Sequence, residues 1–450
     1  MSKARYRCAA VMTGRTCIFV TQDVSVFGRG RFHYLFRHSD ASETSWANHH
    51  FWHACMAGMA AMGSPSSTSV LRRTMDRRLS VAIIGDAFAD LYCFLGDSKL
   101  PKPGRDARLL KPIRTVAGGS GLNTATHLSS LSRRRSGAGG AAVVDSISLH
   151  TVLNESDAYG RLLSSHANEH GFALVNCRRP SPEPESTGHC TVIVSKGERS
   201  FMTHLGCVAA FEADHVDVDG VLGSNAGNNG DTSGHDHLHV HVAGYYNIAG
   251  FFDGQLKRLL QSIRDRRASK SVAGGSGRGT TISLVPQHDA TEQWDGGLVD
   301  LLPLVDYLIC SEVEAANIAN AGGEGEGNDL HQLASFFHRA SPNTCVVVTL
   351  GARGAVALRD GKILLRQKAP VDLADPVDPT GAGDAFAAGF LHGIHGRSGS
   401  SIESEVADSL LRSGLFYGCT IGTSCVMKEG ASAPASSEEI DALIKVASFH

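Results

Sequence analysis

Eleven cysteines occur in 450 residues, yet no two of them form a Cys-x-x-Cys pair. That spacing excludes a zinc ribbon or a disulfide framework and points to free thiols in a reducing compartment. No run of ~18 apolar residues is present, so neither a transmembrane helix nor a membrane partner is expected. Little charge is left over: 42 Lys and Arg stand against 45 Asp and Glu, a formal net charge of −3. A balance this close to neutral offers no footprint for nucleic acid. There is no Gly-x-x-x-x-Gly-Lys-[Ser/Thr], which excludes a P-loop, and a Gly-x-Gly-x-x-Gly dinucleotide reading has no support.

What the chain does contain is concentrated near its C-terminal end, in Asp378-Pro379-Thr380-Gly381-Ala382-Gly383-Asp384-Ala385-Phe386. Two glycines flank one alanine, so nothing bulky shields the backbone N–H groups of this turn. The apolar segment from Ala385 to Ile394 is predicted to be a helix. N–H groups at a helix start lack intrahelical partners, and the helix dipole adds partial positive charge. The turn is therefore an anion hole suited to phosphate. Asp384 would repel phosphate unless it did chemistry, and the chemistry open to it is that of a general base. The alternative is a capped helix after a glycine turn, with Asp384 an ordinary first-turn acid; spacing alone leaves both open.

Residues 1–78 read as a basic extension without a sustained period. Arg and Ser content fits an organelle transit peptide, whereas the cluster Trp46, His49, His50, Phe51, Trp52 and His53 fits it poorly. A disordered extension, or a segment absent from the mature protein with Met75 as an alternative start, stands beside that reading. A cytoplasmic location is expected, with organelle targeting by the extension as the alternative.

From Leu79 the character changes. Ser80 to Gly85 is a buried-strand pattern. Asp86 to Asp90 follows at its C-terminal end, the edge at which open α/β sheets bind ligands. Asp90 could accept hydrogen bonds from sugar hydroxyls or cap a helix. Gly118-Gly119-Ser120-Gly121-Leu122-Asn123 precedes a helix and lets a ligand approach the backbone. Asn123 offers both donor and acceptor to a vicinal diol. Strands alternate with helices along the rest of the chain, the pattern of a doubly wound α/β fold with a mostly parallel sheet. Segments 223–237 and 268–279 read as flexible insertions. His237, His239 and His241 would share one strand face, but no Cys or carboxylate stands at metal spacing, and a core strand is the preferred reading. Arg199 follows a hairpin turn and is read as an exposed charge ahead of a ligand contact.

The C-terminal stretch resembles the signature of the ribokinase-like (PfkB) family of sugar and nucleoside kinases, usually Asp-Thr-x-Gly-Ala-Gly-Asp. Gly118-Gly119 with Asn123 resembles that family's N-terminal signature, Gly-Gly-x-x-x-Asn, in the same order and position. The resemblance covers roughly residues 80–445. It implies a kinase domain over 79–450, with a small β lid from about 99–117 and 187–205. It implies transfer of the γ-phosphate of ATP to a hydroxyl of a small sugar, with Asp384 as general base and Gly381, Ala382 and Gly383 stabilising the transferring group. Asp90, Gly118, Gly119 and Asn123 are then substrate contacts. Thr349, Gly351, Gly354 and Gly430 border the nucleotide. Glu314 takes the place of the Glu in an Asn-x-x-Glu motif that orders water around Mg²⁺. Asp378 and Thr380, with carbonyls from 422–435, would hold a monovalent cation such as K⁺. Two departures stand out: Ser311 replaces the Asn of that motif, and Pro379 enters the signature. The run from Val426 to Ala431 looks more like ribokinases than adenosine kinases, so a sugar is the expected acceptor. A nucleoside kinase of the same fold and a catalytically silent binding homologue are the alternatives. A homodimer through the lid is a further implication.

Overall fold

The computed structural model describes residues 5–13, 16–23, 31–38, 79–96, 100, 104–137, 144–181, 185–195, 198–223, 237–272, 279–322, 329–371, 376–395 and 403–447. The chain divides into two units, Met1–Arg73 and Thr74–His450. In the first, β1 (Arg5–Thr13), β2 (Thr16–Asp23) and β3 (Arg31–His38) form an antiparallel three-stranded sheet. The cluster from Trp46 to His53 and Met75 lie outside the described residues.

The second unit opens with β4 (Leu79–Gly85), β5 (Phe88–Gly96), β6 (Arg114–Gly118), α1 (Ser120–Gly137), β7 (Ser146–Thr151), α2 (Ala158–His170) and β8 (Ala173–Asn176). Then come β9 (His189–Ser195), β10 (Glu198–His204), β11 (His237–Ala243), α3 (Gln255–Val272), β12 (Gly279–Val285), β13 (Tyr307–Ser311) and α4 (Glu312–Ala321). It closes with α5 (Leu330–Ala340), β14 (Cys345–Thr349), β15 (Ala355–Arg359), β16 (Lys362–Gln367), α6 (Ala382–His395), α7 (Glu403–Val426) and α8 (Ser437–Ala447).

Nine of these strands form one sheet in the order β16-β15-β14-β13-β12-β11-β4-β7-β8. All pairings are parallel except β14–β15 and β15–β16. Helices cover both faces, which is why β4 and β11 read as near-continuous apolar runs rather than alternating ones. Val81 and Ile83 share a core with Leu122 and Leu128 of α1 and Phe390 of α6. Ala82 and Ile84 face the opposite core, with Leu260 and Ile263 of α3 and Phe337 of α5. Each Val, Leu, Ile and Phe among them contributes roughly 1.5–3 kcal/mol by leaving water. His239 and His241 are buried on β11 and linked through Ser283 of β12; His239 also bonds to Thr281 and directly to His395 of α6. They are core, as the strand pattern suggested.

Helix α6 is buried along almost its whole length because α7 packs backbone to backbone against it. A Cβ on Gly389 would lie 2.4 Å from the Tyr417 carbonyl oxygen, and one on Gly393 2.3 Å from that of Ser413. Gly389→Ala is therefore expected to destabilise the fold by roughly 1–3 kcal/mol, since backbone cannot move aside as a side chain can. A thermal melt showing no change would contradict this close packing.

A second, four-stranded sheet has the order β10-β9-β5-β6, with β5 and β9 parallel. Strand β5 rules out the alternative of Asp90 as a helix cap. After a short turn the chain restarts as an aromatic-rich strand, a composition that suits a pleated, half-buried surface, and carries Asp90 into the small sheet. Helix α3 runs to Val272, past the expected start of the second insertion; 224–236 and 273–278 lie outside the described residues. No described helix is long and apolar enough to cross a membrane. The eight described cysteines of this unit are free thiols.

Candidate active site

The C-terminal ends of β4, β11, β12 and β13 line one edge of the large sheet, and α6 starts beside them. Asp384, in the first turn of α6, is 3 % exposed. Its Oδ1 accepts from Ser120 Oγ at 2.7 Å and from Gln287 Nε2 at 2.9 Å, and its Oδ2 accepts from Asn123 Nδ2 at 2.9 Å. Ser120 and Asn123 stand three apart in the first turn of α1, hence on one helix face. The two signature segments thus meet although 261 residues separate Asn123 from Asp384. Burial outweighs the donors: it raises the Asp384 carboxyl to about 7, against the hydrogen bonds from Asn123 and Ser120 that lower it.

Gln287 was not singled out from the sequence. It follows β12 with φ +64°, a left-handed conformation uncommon for a non-glycine residue. That turn aims its amide at both Asp384 and Ser120 Oγ, the latter at 3.0 Å. The signal that could have found it is its place just beyond the C-terminal end of β12, the sheet edge at which ligands bind.

Asp90 is 7 % exposed, and its carboxylate receives no hydrogen bond from any described residue. Burial, then the charges of Asp86 and Asp384, raise it to about 7. Gly118 faces it across the small sheet: a Cβ there would lie 2.1 Å from Asp90 Oδ2. Gly119, with φ +93°, brings the turn so close to β5 that a Cβ would sit 2.7 Å from Ala87 Cα. Asn123 keeps its Oδ1 buried and unpaired. Among the described residues, then, neither Asp90 nor Asn123 Oδ1 has a donor. Asp86, by contrast, is bound by Asn247 Nδ2 at 2.6 Å and by the Gly121 amide.

On the other side of the α6 N-terminus lies a cavity of 260 Å³, lined by Thr349, Gly351, Gly354, Gly383, Phe386 and Thr423 among others. Gly383 opens onto it: a Cβ there would meet nothing within 4 Å. Ala382 N donates to Pro379 O at 3.2 Å, while the amides of Gly381 and Gly383 find no acceptor among the described residues. An anion at this helix start would therefore meet Gly381 and Gly383, not Ala382. Gly430 does not line this cavity; its amide donates to Asp378 Oδ2 at 3.0 Å. Glu314 forms a capping box with Ser311, taking the Ser311 amide on Oε2 at 2.7 Å. It lies near enough for its charge to raise the Asp384 carboxyl further. Thr380 donates its amide to Asp378 Oδ1 at 3.0 Å, and its own Oγ1 is buried without a partner. Arg199 is not an exposed hairpin charge: its side chain is 11 % exposed and its Nε lies 3.0 Å from Asp378 Oδ1. Strand β10 is held over the signature loop, which covers the guanidinium.

This architecture is the ribokinase/PfkB carbohydrate-kinase fold. Residues 271–437, less than half of the chain, match the family model described as pfkB family carbohydrate kinase. Over 247 residues the chain is 28 % identical to adenosine kinase 1 of Arabidopsis thaliana, an alignment covering 54 % of this chain and 64 % of that protein. The chain thus spans under two thirds of that relative's length. Ribokinase from Giardia lamblia superposes with a TM-score of 0.60 at 17 % identity, covering 81 % of this chain and 99 % of that one. Arabidopsis thaliana ribokinase, solved with ribose and ATP, superposes with a TM-score of 0.54 at 20 % identity, covering 83 % and 100 %. The N-terminal signature lies outside the matched segment; the fold is what joins it to Asp384.

Proposed function

We propose that the protein is an ATP-dependent kinase whose acceptor is a ribosyl hydroxyl of a nucleoside. The observation that carries the reading is the Asn123–Asp384 hydrogen bond of 2.9 Å, which unites a diol-sized set of polar groups with a carboxylate at an anion-binding helix start. Asp384 takes the proton of the acceptor hydroxyl; a carboxyl raised to about 7 is matched to that task near neutral pH. Asp90 and Asn123 Oδ1 accept hydrogen bonds from neighbouring hydroxyls, which supplies donors that neither has among the described residues. Gly381 and Gly383 direct their amides at the transferring group. ATP supplies that group, and Mg²⁺ offsets its charge when bound. Glu314 fits a water-mediated role toward Mg²⁺, since its capping bond engages only Oε2. The small sheet, of which Asp90 is part, covers the acceptor and keeps water from it.

The likeness to an adenosine kinase supports a nucleoside over the free sugar that the Val426–Ala431 run suggested. That run favours ribose or fructose as the second reading. A coupled ADP-release assay with ATP, Mg²⁺ and a panel of nucleosides and sugars separates them. Turnover is expected with a nucleoside, adenosine first, and only with Mg²⁺. ADP release with sugars alone would transfer the activity to the second reading, and none with any acceptor would refute both.

A further inference from the structure

The family resemblance implies a monovalent cation held by Asp378, Thr380 and carbonyls of the 422–435 run. Of the groups named, Thr380 Oγ1 alone is left without a donor among the described residues, and one oxygen does not make a cation site; the others do not fit one. Asp378 is 2 % exposed, and both its oxygens are taken. Oδ1 accepts from Arg199 Nε and from the Thr380 amide, each at 3.0 Å, and Oδ2 from the Gly430 amide at 3.0 Å. Four neighbouring carbonyls are engaged as well. Val377 O accepts from Arg199 Nη2 at 2.7 Å, and Val426 O accepts the amides of Val377 at 2.8 Å and Asp378 at 3.2 Å. Glu429 O accepts from Arg114 Nη2 at 3.3 Å, and Ala431 O lies 2.9 Å from His127 Nε2. A cation entering here would have to displace protein donors and would face a guanidinium that carries the same charge in a site of low dielectric.

We propose that Arg199 is this chain's own substitute for the monovalent cation: its guanidinium neutralises Asp378 and braces the loop that leads to Gly381 and Asp384. Arginine suits the position because its planar fork reaches the carboxylate and the adjoining carbonyl together, where an ammonium acts as a point charge. The charge arrives on β10, so the small sheet supplies it rather than the solvent. The inference rests on the kinase reading for its effect on turnover, but not for its effect on cation binding.

The test compares wild type with Arg199→Ala in KCl, NaCl and tetramethylammonium chloride at equal ionic strength, by thermal shift and by ADP release. Wild type is expected to melt at the same temperature in all three salts and to turn over equally. Arg199→Ala is expected to lose about tenfold or more in turnover, to be stabilised by KCl specifically, and to recover part of its activity in KCl. Wild-type stabilisation or severalfold activation by K⁺ would overturn the proposal, as would an Arg199→Ala protein indifferent to the salt. Should Arg199→Ala fail to fold, Arg199→Lys is expected to remain K⁺-indifferent, and the wild-type arms still decide the matter. If no acceptor is turned over, the kinase reading fails while the thermal-shift arms continue to report on the cation.

Discussion

Asp384→Asn is expected to lower kcat by ~10³-fold, the range of a lost general base, while ATP still binds. The side chain keeps its shape but cannot take a proton. It also presents an NH₂ group to a site built from donors: Ser120 Oγ, Asn123 Nδ2 and Gln287 Nε2 all aim at acceptor oxygens. The cavity lined by Thr349, Gly351 and Gly354 is not altered by the exchange, which is why nucleotide affinity should persist. Steady-state ADP release together with calorimetric titration of ATP checks both halves. A variant within tenfold of wild-type kcat would remove Asp384 from the chemistry.

The second large effect concerns Asp90. Asp90→Asn is expected to lower kcat/KM for the acceptor by about 10²-fold, chiefly through KM, because the acceptor's hydroxyls favour the carboxylate when bound and an amide offers one acceptor oxygen where the carboxylate offers two. Stability should move the other way. The folded-state carboxyl is raised from 3.8 to about 7, so its neutral form is the one the fold favours. Stability from that group is fully present below about pH 4 and is lost as pH rises through about 7. Buried histidines such as His241 and His395, both lowered to about 3, act in the opposite sense below their ordinary range. The clean quantity is therefore the difference in melting temperature between Asp90→Asn and wild type. It should become more positive from pH 5 to pH 8 in the absence of acceptor. A flat difference would mean that Asp90 is not held neutral by its surroundings.

Much of this was legible before any coordinates. The parallel strands announce themselves because both faces are buried, and the turn from Asp378 to Asp384 shows an anion-sized opening at a helix start without saying whether Asp384 is a base or a first-turn acid. What stayed hidden depends on which faces meet. Nothing local to Asn123 says that its amide will rest on a carboxylate 261 positions later. Gln287 escapes notice because its role follows from a left-handed backbone that glycine, not glutamine, usually signals. Arg199 reads as an exposed hairpin charge because sequence does not tell which side of an edge strand will be covered. Ser311-x-x-Glu314 has the spacing of a capping box as well as that of the metal motif it resembles, and the structure forms the box. The aromatic strand β5 was hidden by its brevity of separation from β4, a turn of only Asp86 and Ala87.

The central claim is that Asp384 strips the acceptor hydroxyl while the amides beside it receive the migrating phosphoryl group. Rapid-quench single-turnover transfer from γ-labelled ATP, with Mg²⁺ and a saturating nucleoside, tests it most directly. Wild type should place the label on the nucleoside within the first turnover. Asp384→Asn, with ATP bound to the same extent, should place none there over the same interval, and equal rates of label transfer by the two proteins would contradict the account.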